Sequence, residues 1–129
     1  MTNLVFVYGT LKKGFGNHRL LVKAEFMCPS YIFDGKMLDL GAFPAVVDGA
    51  REIHGELYSV DKATLASLDR LEGHPTFYER RKVHAMVPDG PGQEGDMEAW
   101  CYFLSKDSQA HYEKLCPVIE EGIWNGHRA

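Results

Sequence analysis

The sequence predicts one α+β domain, with six or seven short strands in a mixed or closed sheet, one main helix and one or two short ones. Runs of β-branched and aromatic residues recur along the chain, with a single strongly periodic helical segment among them. The repeated strand-helix alternation of a doubly wound parallel sheet is missing, which leaves a mixed or closed sheet. No internal repeat and no linker breaks the chain, so residues 1–129 read as a single unit.

The elements follow in order. Leu4-Val5-Phe6-Val7-Tyr8 has the composition of a buried strand and runs into Gly9-Thr10-Leu11-Lys12-Lys13-Gly14. A buried strand that ends in a glycine-containing turn offers backbone N–H groups to an anion from a rigid base. This strand end is therefore expected to floor a small-molecule site. Asn17 stands where it would cap a short helix over residues 18–24. Residues 26–40 mix strand formers with Pro29 and Gly35, which suggests two strands with a break. Gly41-Ala42-Phe43-Pro44 reads as a turn, residues 45–47 as a short strand, and residues 54–60 as another.

Asp61 is placed to cap the main helix, residues 62–72, with Leu65, Leu68 and Leu71 on its inward side. Gly73 stands where a helix-terminating glycine belongs, and Pro75 prevents resumption. Residues 78–87 and 97–104 read as strands of a hairpin across a Gly-, Pro- and acid-rich loop. The tail from Ser105 is polar, with a helical turn over 109–115 stopped by Pro117.

Composition excludes several classes. A hydrophobic content of 45% with 25% charged residues is globular. A net charge of −4 argues against nucleic-acid partners, which demand many phosphate-facing cations. No run approaches the roughly 18–20 apolar residues of a membrane span, and no basic segment precedes an apolar signal core. Cys28, Cys101 and Cys116 are an odd number without Cys-x-x-Cys spacing, the pattern of reduced thiols in a cytoplasmic protein. The six histidines show no metal-ligand spacing, so no metal is expected.

Two motifs tempt and fail. Gly90-Pro91-Gly92-Gln93-Glu94-Gly95 matches G-x-G-x-x-G, but that fingerprint must open a helix, and here a strand is expected to follow among acids that repel phosphate. Gly9 and Gly14 have P-loop spacing, yet Phe15-Gly16 occupy the place of Lys-Ser/Thr. None of the cysteines has a nearby histidine or helix N-terminus to activate it.

Glu72 is the one residue in a locally unfavourable place. It ends a helix, where the dipole is negative, and Asp69 three residues earlier adds a like charge. If that end also faces a dry cleft, all three effects raise its pKa toward the range of a general acid/base. The competing reading is a solvated charge with Arg70, Arg80 or Arg81 as a loose partner, and position alone favours it.

A likeness supplies what position does not. Val5-Phe6-Val7-Tyr8-Gly9-Thr10-Leu11-Lys12, then Asn17-His18-Arg19, resembles the opening of the γ-glutamylcyclotransferase superfamily, most closely the γ-glutamylamine cyclotransferases. The resemblance continues in order through Gly55-Glu56-Leu57-Tyr58-Ser59-Val60-Asp61, Leu68-Asp69-Arg70-Leu71-Glu72 and Tyr78-Glu79-Arg80, covering roughly residues 4–104. It implies a small mixed β-barrel flanked by helices, and conversion of γ-glutamyl amines to 5-oxoproline and a free amine without metal or cofactor. It also implies that Tyr8, Gly9, Thr10 and Leu11 bind the glutamyl half and that Glu72 is the essential carboxylate. The alternatives are a non-catalytic module binding an amino-acid-like anion in the same pocket, and a γ-glutamyl amidase in which water replaces the amine. For Tyr58, Tyr78 and Tyr102, core packing competes with a role as pocket walls.

Overall fold

The computed structural model describes residues 3–88 and 94–126. The opening strand, β1 (Asn3–Val7), is buried on both faces and is gripped on both sides. It pairs antiparallel with β4 (Arg51–Val60), from Asn3 against Val60 to Val7 against Glu56, and parallel with β6 (Glu94–Leu104) through Val5 and Trp100. Between them in sequence lie β2 (Glu25–Asp39) and β3 (Pro44–Asp48), and β5 (Tyr78–Pro88) precedes β6. The strand order is β1-β4-β2-β3-β6-β5, and because β1 also meets β6 and β2 also meets β5, the sheet closes on itself.

Alternation along β1 sends neighbouring side chains to two different cores. Val5 and Val7 join Tyr58, Leu65, Leu68, Tyr78 and Tyr102. Phe6 and Tyr8 join Ile32, Val46, Leu57, Phe103 and Trp124. The strand thus ends between two packed layers, which fixes where the following turn begins.

Residues 26–40 differ from the two strands expected. β2 is one fifteen-residue strand that keeps its partner through two register shifts, at Phe26/Cys28 and Ile32/Gly35. Gly35 marks the second, where a Cβ would stand 2.4 Å from Val46 Cγ1. The hairpin is longer than predicted: β5 and β6 stay in register from Tyr78–Leu104 to Pro88–Glu94. Residues 90–93 of the G-x-G-x-x-G match lie outside the described residues, and it is the strand β6 that follows them.

The main helix, α1 (Lys62–Glu72), forms as its signals dictate. Asp61 accepts a hydrogen bond from Thr64 N at 2.7 Å, and Gly73 closes the helix in the left-handed conformation at φ 66°. Leu65 and Leu68 are buried, but Leu71 is 41% exposed. Successive steps of three residues fall short of a full turn, so the third leucine swings off the inward face. The short helix expected over 18–24 is a 3-10 helix, Gly16–Leu21, with Phe15 at its N-cap; Asn17 caps nothing.

The tail is more ordered than its polarity implied. α2 (Lys106–Leu115) starts directly after β6, anchored by buried Gln109, which donates to Leu104 O at 3.0 Å and accepts from Asp48 N at 3.3 Å. Beyond it, residues 117–126 form a strap across the sheet: Asp39 N donates to Pro117 O, Ile119 N to Met37 O and His54 N to Gly122 O, all within 2.9 Å. Trp124 is buried in the second core. Among the described residues no helix is long and apolar enough to cross a membrane.

Candidate functional site

The end of β1 and the end of α1 open onto the same cavity of about 340 Å³. Tyr8, Gly9, Thr10, Leu11 and Glu72 all line it, although the strand end and the helix end are far apart in sequence. The closed sheet brings them together. β4 lies beside β1 and leads into α1, so the helix returns along the same side of the sheet and delivers its C-terminus to the turn.

The turn after β1 has its carbonyl groups satisfied. Lys12 N donates to Gly9 O and Asn17 N to Thr10 O, each at 3.0 Å. His18 Nδ1 lies 2.9 Å from Leu11 O, a contact in which that nitrogen carries the proton. Lys13 N donates to Glu56 Oε1 on β4 at 2.9 Å, and Lys12 Nζ donates to Trp124 O of the strap at 2.8 Å. The N–H groups of Gly9, Thr10 and Leu11, by contrast, have no acceptor among the described residues. Asn17 Nδ2 donates to Thr10 Oγ1 at 2.8 Å, which leaves the Thr10 hydroxyl proton available as a further donor. Buried backbone donors are rarely left unpaired, and a group of them at a cavity is suited to an anion.

Gly9 is where the strand end meets Pro44: a Cβ there would stand 2.8 Å from Pro44 Cγ and 3.0 Å from Pro44 Cδ, so the missing side chain leaves room for the proline ring.

Glu72 is half-buried, and burial raises its carboxyl from 4.5 to about 7. Desolvation is the cause. The like charge expected from Asp69 is cancelled, because Asp69 accepts from Arg80 Nε at 2.9 Å, Arg80 Nη2 at 3.2 Å and the Tyr102 hydroxyl at 2.7 Å. The arginines proposed as loose partners of Glu72 are otherwise engaged. Arg80 also stacks on Trp100 at 4.2 Å, Arg81 binds Glu79 and Asp48, and Arg70 donates to Ser67 Oγ. Among the described residues no cation pairs with Glu72.

The tyrosines complete the wall with their hydroxyls spent. Tyr8 donates to Tyr102 O at 2.7 Å and accepts from Val46 N at 3.2 Å, so its phenol belongs to the core and only the rest of the residue faces the cavity. Tyr78 donates to Pro44 O at 2.9 Å. Burial, with the Glu72 charge adding to it, pushes the pKa of Tyr8, Tyr78 and Tyr102 well above the usual range. Tyr58 does not reach the cavity; its hydroxyl donates to Glu56. That leaves Glu72 as the lining group able to exchange a proton near neutral pH.

Several lining residues carried no sequence signal. Phe43 and Phe77 meet edge to face at 6.3 Å, and Leu71 leaves the helix core to join them. Asn17 was visible as a helix cap and within the Asn17-His18-Arg19 block of the resemblance, but its role as the partner of Thr10 depends on a turn that folds back over seven residues. Among the described residues, no three His, Cys, Asp or Glu side chains are grouped to hold a metal ion.

Comparison with known proteins finds relatives over nearly the whole chain. The family model described as gamma-glutamyl cyclotransferase, AIG2-like, matches residues 5–126, so the likeness runs through α2 and the strap, well past residue 104. A Methanocaldococcus jannaschii protein provisionally named a gamma-glutamylcyclotransferase is 35% identical over 128 residues, covering 96% of this chain and 97% of that one. The gamma-glutamylcyclotransferase family protein YtfP of Escherichia coli K12 is 31% identical over 93% of this chain and 94% of its own length. A crystal structure of a mouse AIG2-like protein superposes with a TM-score of 0.76 over 98% of this chain and 97% of that one, at 23% identity, a likeness of fold.

Proposed function

The chain belongs to the AIG2-like γ-glutamylcyclotransferase family, and from that premise we propose that it is a γ-glutamylamine cyclotransferase that releases 5-oxoproline and a free amine, with Glu72 as its general acid/base. The reading is carried by one observation: an unpaired carboxyl with a pKa near neutrality shares a cavity with the unpaired N–H groups of Gly9, Thr10 and Leu11.

In this mechanism the substrate's α-carboxylate sits on those N–H groups and the Thr10 hydroxyl, which fixes the glutamyl chain in a folded pose. The α-ammonium gives a proton to the Glu72 carboxylate. The freed amine attacks the γ-carbonyl carbon, forming the C–N bond of the five-membered lactam. As the tetrahedral intermediate collapses, the bond to the leaving nitrogen breaks and Glu72 returns its proton to that nitrogen. The attacking nitrogen sheds its second proton to the same carboxylate, which passes it to the released amine. Both protons lost by the α-ammonium thus leave with the amine as its ammonium form, and no second substrate enters.

Because the nucleophile belongs to the substrate itself, orientation does much of the work; well-placed intramolecular reactions reach effective molarities on the order of 10⁵–10⁸ M. A carboxyl at about 7 suits both halves of the proton transfer, since each form is populated at neutral pH. The test is product mass. Incubated with a γ-glutamyl amine, the protein should release 5-oxoproline; glutamate in its place would show an amidase, and binding without turnover would show a non-catalytic module.

A further inference from the structure

The charges of the cavity match one half of the substrate and leave nothing for the other. A glutamyl head brings one carboxylate and one ammonium, and the cavity offers one set of unpaired N–H donors and one carboxylate, Glu72. Among the described residues lining it there is no lysine, arginine, histidine or second acid. The nearby charged groups are committed elsewhere: Arg80 and Asp69 to each other, and Lys12 to the Trp124 carbonyl.

What remains of the wall is apolar. Ala42, Phe43, Pro44, Leu71 and Phe77 supply it, with Phe77 held edge to face against Tyr78 at 4.9 Å and Tyr112 at 5.8 Å. Phe43 and Phe77 are only half-buried and Leu71 is 41% exposed, so this wall has apolar surface still to be covered. A charge placed here would lose water and gain no partner. An alkyl or aryl group would lose nothing and cover apolar surface.

We propose that the leaving half of the substrate is an uncharged, apolar primary amine, held against Phe43, Phe77 and Leu71. Amino acids, dipeptides and short polyamines, which place a carboxylate or ammonium close to the scissile nitrogen, are disfavoured. This inference rests on the cyclotransferase reading above.

The test is a panel of γ-glutamyl compounds of similar length, followed by 5-oxoproline release from the purified chain: the n-butylamide, the benzylamide, γ-glutamylglycine and the mono-amide of ethylenediamine. The two apolar compounds should exceed the two charged ones in kcat/KM by about tenfold or more, the scale at which a pocket rejects an unmatched group. Equal or better turnover of γ-glutamylglycine or the diamine compound would overturn the inference and leave the cyclotransferase reading standing. Absence of 5-oxoproline from all four would overturn that reading and the inference with it. Leu71→Arg, at the exposed rim, should shift the ratio toward γ-glutamylglycine by about tenfold. An unchanged ratio in that variant would refute the placement of the leaving group on this wall.

Discussion

Replacing Glu72 by glutamine should make the protein more stable above neutral pH while removing its proposed proton carrier. Burial raises this carboxyl from 4.5 to about 7. Below pH 4.5 folded and unfolded chains both carry the neutral acid, so the native environment costs nothing. Between 4.5 and 7 the folded chain holds a proton that the unfolded chain has lost, and as pH rises through 7 the folded chain must ionise a desolvated group. The stability associated with the neutral acid is therefore present at low pH and lost on the alkaline side. At about 1.4 kcal/mol per pH unit, the full span corresponds to about 3 kcal/mol. Because water still reaches part of the half-buried side chain, a loss of about 1–3 kcal/mol is the expected range. Glutamine keeps the shape and never ionises. Urea denaturation of both proteins at pH 4.5, 6, 7 and 8.5, with equal m-values, should give curves that coincide at the lowest pH and separate by that amount at the highest, glutamine the more stable. A glutamine variant equal to or weaker than wild type at pH 8.5 would refute the desolvated state of Glu72.

Other substitutions probe the rest of the site. Gly9→Ala forces a Cβ to within 2.8 Å of Pro44 Cγ and should cost about 1–3 kcal/mol by overpacking, read as a lowered urea midpoint, with a raised KM as the turn is displaced. Asn17→Ala removes the donor to Thr10 Oγ1; a loss of about 0.5–1.5 kcal/mol in stability is expected, and steady-state kinetics should show KM rising with kcat nearly unchanged. Leu68→Ala empties a fully buried position beneath α1 and should cost about 2–5 kcal/mol in thermal or chemical unfolding.

The parts of the fold that were legible in the sequence are those set by local chemistry. Asp61 and Gly73 bracket α1 because a cap needs an acceptor side chain and a terminator needs a left-handed residue, and both requirements are written in single letters. The Tyr8-Gly9-Thr10-Leu11 turn and Glu72 were likewise visible one by one. Their meeting in one cavity depends on sheet closure through the β1–β6 and β2–β5 pairings, which no local pattern specifies. The same holds for β2. Proline and glycine suggested a break, yet pairing with β4 carries the strand across both bulges. The pKa of Glu72 is raised as expected, but of the three expected causes desolvation alone accounts for it, and Asp69 is neutralised by Arg80 and Tyr102 from β5 and β6. The aromatic wall was invisible, since nothing in Phe43 or Phe77 distinguishes a pocket edge from a core.

The central claim is that Glu72 moves the proton during cyclisation, and the direct measurement is kcat/KM for 5-oxoproline release from a γ-glutamyl amine between pH 5 and 9, for wild type and Glu72→Gln. Wild type should gain activity as pH rises through about 7, where the base becomes ionised. The glutamine variant should lose that limb and about 10²–10⁴-fold in rate. A folded Glu72→Gln protein that keeps near-normal turnover, or the same dependence on pH, would contradict the claim.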